Sequence, residues 1–369
     1  MTGGPVGVGI VGAGVISGTY LENLTSFPDV RVRWVADLDT DRAAARAAEY
    51  GVPRSGTVAE LLADPEVEIV VNLTVPAAHA EVGLAALDAG KHLWTEKPLA
   101  LDREAGRKLL DRAREKNLRV ASAPDTVLGA ALQTARNAVD AGRIGRPLTA
   151  LALFQVPGPE LWHPAPEFYF QAGGGPLLDM GPYYLTALVH LLGPVRRVTG
   201  AGGRARDTRV VGSGPRAGTV FPVAVPTTVT ALVEFEAASA QLVLSFDSAL
   251  KRSGLVELTG TLGTAVLPDP NRFDEPTRLH LLGHDEPEEL APQGHTASRG
   301  TGTLELARAI RAGVPERASG ELAYHVLDAM LAIEESMARR RSVDVGSTVD
   351  VPPALPAGWD PYAKTLGGS

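Results

Sequence analysis

The stretch that most restricts how this chain can fold is GIVGAGVISG, Gly9 to Gly18, where an apolar run ends in a glycine turn and a helix-like segment begins. A strand that stops, turns through two glycines and opens a helix is the first half of a βαβ unit. In such a unit the first glycine makes the tight turn, and the second lets the backbone approach a pyrophosphate resting on the helix N-terminus. Gly12 and Gly14 fill those positions, and Ser17 stands where a third, packing glycine is usual. The next β-rich run, VRVRWVAD, ends in Asp37, 23 positions beyond Gly14 (37 minus 14), near the roughly 20 of a dinucleotide fingerprint. Val15, Ile16 and Leu38 flank the two ends of this motif and are expected to line the nucleotide. A carboxylate at Asp37 accepts hydrogen bonds from ribose hydroxyls and repels a 2′-phosphate, so NAD is expected in preference to NADP. Asp37 as a helix N-cap is the alternative, although Asp39, Thr40 and Asp41 also suit that role. Arg42 is the residue that would favour a phosphate if it swung toward the ribose.

The rhythm continues through EIVVNLT, HAEVGLAALDAG, KHLWTE, DREAGRKLLDRAREKN and RVASA. Strands alternating with helices of this length predict a parallel sheet, and right-handed crossovers make it an open, doubly wound Rossmann sheet over residues 1–123. A helix from about Leu128 to Ala141 stops at GRIGRP, after which the pattern changes. LTALALFQV, PTTVTALVEFE, AQLVLSFDSA and GLVELTGTLGTAVL read as strands, with period-two alternation at Val229, Ala231, Val233 and Phe235. Residues 124–369 are therefore expected to form an α+β domain with an open, mostly antiparallel sheet. Two late helices, Thr303 to Ala312 and Glu321 to Arg339, are expected to pack back across the domain junction. Gly202 to Pro226, rich in Gly, Pro and Arg, reads as an exposed, mobile loop.

Composition excludes several functions. A net charge of −8 does not suit a surface that must neutralise phosphates, so no nucleic-acid partner is expected. The absence of cysteine removes disulfides, thiolate nucleophiles and zinc–thiolate sites, and the eight histidines are scattered without ligand spacing, so no metal is expected. No run approaches eighteen apolar residues and the start lacks a secretory pattern, which predicts no membrane association and a cytoplasmic location.

KHLWTEKPLA brings Glu96 and Lys97 to the carboxyl end of a buried strand, where open α/β sheets bind their ligands. Pro98 keeps Lys97 out of the α conformation, so a stiff turn presents the side chain. The preceding strand ends at Thr74, and Pro76 begins a helix, which puts Thr74 and Lys97 on one rim. His79 is either a hydrogen-bonder in that turn or a neighbour of the cofactor.

The ordered set GAGVIS, VAD, VPAAHAEVGLAALDAGKHLWTEKPLA and GGGPLLDMGPYYLTALVHLLG resembles the glucose-fructose oxidoreductase/inositol dehydrogenase/rhizopine-catabolism (Gfo/Idh/MocA) family over nearly the whole chain. The resemblance implies NAD(P)-dependent redox chemistry on sugars, inositols or their derivatives, with the EKP lysine, Lys97, catalytic and the Lys97–Pro98 peptide often cis. It also implies a homodimer or homotetramer assembled through the C-terminal sheet. The family's second motif commonly reads DxGxH, with the acid orienting substrate and the histidine moving a proton. Here Asp179 and Gly181 match but Tyr183 replaces the histidine, as in a DxGxY variant that resembles the fructose-reducing and dihydrodiol-oxidising branches.

Positions 179, 183, 186 and 190 share one helical face, so Asp179 and Tyr183 point together and Tyr184 points elsewhere. Gly181 is expected to leave room for a substrate. His190 reads as a satisfied core histidine, and Tyr183 as a packing residue is the alternative to catalysis. A free phenol, with a pKa of about 10, is a poor base near neutrality, but a hundredfold gain in acidity takes only about 2.7 kcal/mol, within reach of a close ammonium such as Lys97. In GPELWHPAPEFYF, Trp162 offers a flat face to a sugar ring and His163 a hydrogen bond; the segment is alternatively a loop folded on its own aromatics. Two other functions share these motifs: glycoside cleavage through transient oxidation, and non-catalytic NAD sensing.

Overall fold

The computed structural model describes residues 3–367. Contacts divide the chain into two units. The first comprises residues up to 130, residues 294–324 and residues from 352 on; the second comprises residues 131–293 and 325–351.

The first unit is built on the predicted alternation. Strands β1 (Val6–Val11), β2 (Val30–Ala36), β3 (Arg54–Gly56), β4 (Ile69–Asn72), β5 (His92–Thr95) and β6 (Val120–Ser122) form one sheet in the order β3-β2-β1-β4-β5-β6. Every pairing is parallel. Because helices cover both faces of such a sheet, its inner strands must be apolar throughout. All of VGVGIV in β1 and IVVN in β4 is accordingly buried. The crossovers are α1 (Val15–Leu24), α2 (Thr40–Glu49), α3 (Val58–Ala63), α4 (His79–Asp88) and α5 (Arg103–Lys116). Their ends follow local chemistry: Asp39 caps α2, Thr57 and Glu60 form a reciprocal capping box on α3, and Asp102 caps α5. The strand order reverses direction between β1 and β4, so the carboxyl ends of these strands form the crevice where such sheets bind ligands.

In the second unit, α6 (Ala130–Asp140) is followed by β7 (Pro147–Gln155) and the long helix α7 (Gly175–Leu192). The remaining strands are β8 (Arg197–Gly203), β9 (Thr208–Val210), β10 (Val220–Pro222), β11 (Thr228–Glu234), β12 (Ser239–Ser245), β13 (Arg252–Gly260), β14 (Gly263–Leu267), β15 (Thr277–Leu281), β16 (Glu288–Leu290) and β17 (Val343–Asp344). Eight of them form a nine-stranded sheet with β7, β16-β15-β14-β13-β7-β12-β11-β8-β17, antiparallel except for β12 against β7. Helix α7 lies on β7, β11 and β12. It covers the face made by Ala150, Ala152, Val229, Ala231, Val233, Ala240, Leu242 and Leu244, all buried. The period-two alternation read from the sequence is this face. Helices α8 (Thr301–Ala312), which belongs to the first unit, and α9 (Gly320–Arg339), most of which belongs to the second, match the two late helices expected.

Gly202 to Pro226 is not a plain loop. It contains the ribbon β9–β10, whose Arg209 is buried with its guanidinium on Glu160 and Asp247 and 5.0 Å from the centre of the Phe170 ring. Composition pointed to a mobile segment because arginine is normally a surface residue. Two carboxylates distant in sequence reverse that expectation by pairing the buried cation.

Candidate active site

The glycine turn has the form a pyrophosphate requires. Gly12 has φ +104°, and a Cβ there would stand 2.7 Å from the Leu73 carbonyl oxygen, so only glycine lets β1 pass this close to the end of β4. At Gly14 a Cβ would meet no atom within 4 Å, and no side chain caps the N-terminus of α1. Amide groups at this helix start are thus exposed to an anion. Ser17, fully buried, turns its hydroxyl onto the Gly14 carbonyl at 2.6 Å and keeps the third position tight. Ile16 is half-buried, whereas Val15 is 94%, Leu38 99% and Val75 64% exposed. Apolar side chains this bare around a polar turn are what a flat adenine and a nicotinamide would cover.

Asp37 is buried and saturated with donors. One oxygen accepts the Ala13 amide at 2.7 Å and Arg42 Nε at 3.3 Å; the other accepts the Asp39 amide at 3.0 Å and Arg42 Nη2 at 2.6 Å. Burial alone would raise its pKa, but Arg42 and the two amides outweigh burial and hold the carboxyl below the usual range. Asp39, not Asp37, caps α2.

The rim beyond β4 and β5 is a network. Asn72 accepts from the Thr74 hydroxyl at 2.7 Å and donates to the His79 carbonyl at 3.0 Å. Pro76 opens a short 3₁₀ turn, Pro76–Ala78. His79, buried, places Nδ1 2.7 Å from the Pro98 carbonyl and Nε2 3.0 Å from the Thr74 carbonyl, so its ring stands between the two strand ends and the neutral form donates its one N–H to one of them. Burial holds its pKa below the ordinary imidazole value, against the pull of the two carbonyls. Glu96 is buried and Lys97 half-buried, and the Lys97–Pro98 peptide is cis.

In the second unit, α7 starts at Gly175, earlier than a bend through three glycines suggests, with Pro176 in its first turn and Pro182 inside it. Asp179 is half-buried and Tyr183 is buried one turn further on. Tyr184 points away, as expected, and accepts the Gly254 amide at 2.9 Å. The space a side chain would need at Gly181 is filled: a Cβ there would lie 2.9 Å from Met330 Sδ. This glycine therefore serves helix packing against α9 and not substrate room. His190 is buried with Nε2 3.5 Å from Gln133 Nε2, and burial lowers its pKa to about 3.

Trp162 is 63% exposed and His163 half-buried. His163 Nδ1 accepts the Ala165 amide at 3.1 Å, and its ring meets Trp162, Phe168 and Tyr169 edge-on at 5.4–5.5 Å. The loop is folded on its own aromatics and anchored through Glu160 to Arg209. The sequence reading missed that anchor, and also missed Tyr20, whose hydroxyl reaches Glu96 at 2.8 Å. Its signal was a tyrosine one helical turn from both Ile16 and Leu24, on their apolar face, since a buried phenol needs a partner.

Among the described residues, no group of three or more His, Asp or Glu side chains stands together as a metal site, and no helix is long and apolar enough to cross a membrane.

Two family models match: an oxidoreductase family with an NAD-binding Rossmann fold over residues 6–123, and the GFO/IDH/MocA C-terminal domain over residues 132–266. The chain is 35% identical over 177 residues to a 1,5-anhydro-D-fructose reductase of Ensifer adhaerens, covering 47% of this chain and 52% of the relative. It is 29% identical over 289 residues to a trans-1,2-dihydrobenzene-1,2-diol dehydrogenase of Bos taurus, covering 77% and 80%. The chain thus spans about half the length of the first of these and most of the second. A levoglucosan dehydrogenase in complex with NADH and L-sorbose superposes with a TM-score of 0.82 at 22% identity, over 93% of this chain and all of that one.

Proposed function

Because this chain belongs to the GFO/IDH/MocA oxidoreductase family, with an NAD-binding Rossmann fold followed by the family's C-terminal domain, we propose that it transfers a hydride between NAD and a secondary alcohol or ketone of a sugar, inositol or related polyol. The observation that carries this reading is the rim where Lys97 stands just beyond the carboxyl end of β5, in the same sheet as a glycine turn that fits a pyrophosphate. The names of the relatives, a reductase of an anhydro sugar and a dehydrogenase of a diol, support the substrate class.

Gly12, Gly14, Val15, Ile16, Asp37, Leu38, Thr74, Pro76, Glu96 and Lys97 would hold the dinucleotide, with His79 bracing the rim behind them. Bound NAD supplies the acceptor or donor of the hydride. Tyr183 holds the proton of the reacting hydroxyl, and the Lys97 ammonium stabilises the phenolate that makes Tyr183 a base; in the reverse direction the pair returns the proton to a carbonyl oxygen. Asp179 accepts a second hydroxyl and so fixes which carbon reacts. Trp162 offers its exposed face to the sugar ring, with His163 as a further hydrogen-bonding group. Asp37 favours NAD over NADP. The chain assembles as a homodimer or homotetramer through the sheet face opposite α7, where Thr230, Val243, Leu153 and Leu255 form a cross-strand row.

The test is net NADH formation across a panel of inositols, aldoses, anhydrosugars and glycosides, with Lys97→Met as the control. Reduction of NAD that disappears in Lys97→Met supports the reading. Glycoside cleavage without net NADH, or an active Lys97→Met enzyme, would overturn it.

A further inference from the structure

Lys97 is braced from behind by Glu96, placed above beside the dinucleotide, and by Tyr20 and Trp94, to which nothing above assigns a role. Glu96 accepts the Lys97 backbone amide on one oxygen at 3.1 Å and the Tyr20 hydroxyl on the other at 2.8 Å. Tyr20 in turn accepts the indole N–H of Trp94 at 3.1 Å. All four groups lie in the first unit, and Tyr20 and Trp94 are fully buried. A buried carboxylate is costly unless its oxygens are bonded, and Tyr20 supplies the bond on one of them. The donors run in one direction, indole to phenol to carboxylate, so each bond strengthens the next. Burial, reinforced by Glu96 and Asp125 and opposed by Arg299, holds the Tyr20 pKa well above its usual value, so the phenol is a permanent donor. On the other side of the rim, His79 from α4 faces the Pro98 carbonyl. Tyr20 stands in the second turn of α1, the helix whose first residues follow the glycine turn.

We propose that Tyr20 is a positioning residue for Lys97: acting through Glu96, it fixes the lysine backbone against α1, so that the helix which seats the pyrophosphate also sets where the lysine stands. This rests on Lys97 belonging to the acid–base pair. The strut matters because a misplacement of about 1 Å at a reacting group lowers turnover by about a hundredfold.

Tyr20→Phe removes one oxygen and keeps the ring. It is expected to lower kcat by about 10- to 100-fold, as a misplaced lysine would, and to displace the pH limb of kcat, while NAD affinity and substrate KM stay within about threefold. Glu96→Gln, of equal volume, cuts the same strut; it should lower kcat similarly, and it carries the test alone if Tyr20→Phe does not fold. The double variant should be no worse than the worse single one, because both break a single unit. Unchanged kcat and pH limb in Tyr20→Phe, or in Glu96→Gln where only that variant folds, would overturn the proposal. So would losses that add in the double variant, or a loss of NAD affinity in Tyr20→Phe parallel to its loss of kcat. Lys97→Met separates the two levels. If it is active, the reading of Lys97 fails; if it is inactive beside a fully active Tyr20→Phe, only the strut fails.

Discussion

Replacing Asp37 tests cofactor choice, and the structure supplies the magnitude. In this structure the carboxylate has four donors, two amides and two guanidinium nitrogens, which fills its roughly four acceptor sites. Ribose hydroxyls must therefore displace Arg42. That displacement is cheap: the Arg42 side chain is 53% exposed, and exposed ion pairs contribute about 0–1 kcal/mol. Two hydrogen bonds to a charged group, at about 1.5–3 kcal/mol each before that cost, leave a net of about 2–6 kcal/mol, or at least roughly 30-fold in NAD affinity. Asp37→Ser should lose that factor. It should also strengthen NADP binding, because the repulsion is removed and Arg42 is released to meet a 2′-phosphate. Asp37→Asn keeps an acceptor for the Ala13 amide while discarding the charge, so it separates electrostatics from support of the glycine turn. Fluorescence titration with NADH and NADPH gives both constants, and the preference for NADH should fall by about a hundredfold or more in Asp37→Ser. A ratio that stays within threefold of wild type would refute the reasoning. Equal loss of both cofactors would instead make Asp37 a tether of the turn.

Arg42→Ala should leave NADH affinity within about threefold, since an exposed pair contributes little, and NADPH titration in the same variant should show no gain. Arg209→Met leaves Glu160 and Asp247 without their cation and should cost about 3–5 kcal/mol in urea unfolding; full stability would show that the ribbon does not depend on this cluster. Acid should destabilise the protein between pH 6.5 and 4. Burial lowers the His92 and His325 pKa values to about 4 and that of His190 to about 3, so the unfolded chain takes up these protons first as pH falls. Stability present above pH 6.5 is then lost at about 1.4 kcal/mol per pH unit for each histidine. Asp125, raised to about 6 by burial, has the opposite sign and offsets part of this loss. Urea midpoints at pH 7 and pH 5 check the net direction, and a higher midpoint at pH 5 would contradict it.

The parallel, doubly wound sheet and the glycine turn were legible because each rests on short-range pattern: apolar runs such as VGVGIV, helix periodicity, and Gly12 and Gly14 in sequence. The same holds for the buried face of β11, which alternates residue by residue. What the sequence hid depends on partners far along the chain. Arg209 is interior only because Glu160, 49 residues earlier, and Asp247, 38 residues later, meet it. Tyr20 is tied to Glu96, 76 positions away. Gly181 looked like room for a ligand because its neighbour on the facing helix, Met330, cannot be inferred from local pattern. For His79 the open choice narrowed once both ring nitrogens were found facing the Pro98 and Thr74 carbonyls.

The most direct test of the central claim, that Tyr183 with Lys97 moves the proton of an NAD-dependent oxidation, is the turnover of Tyr183→Phe measured beside its NAD affinity and its melting temperature. General acid–base catalysis contributes about 10² to 10⁴, so kcat should fall by that factor with cofactor binding and folding unchanged, and the alkaline-rising limb of the wild-type pH profile should move or vanish. A Tyr183→Phe enzyme that turns over at the wild-type rate, with an unchanged pH profile, would contradict the account and return Tyr183 to a packing role on α7.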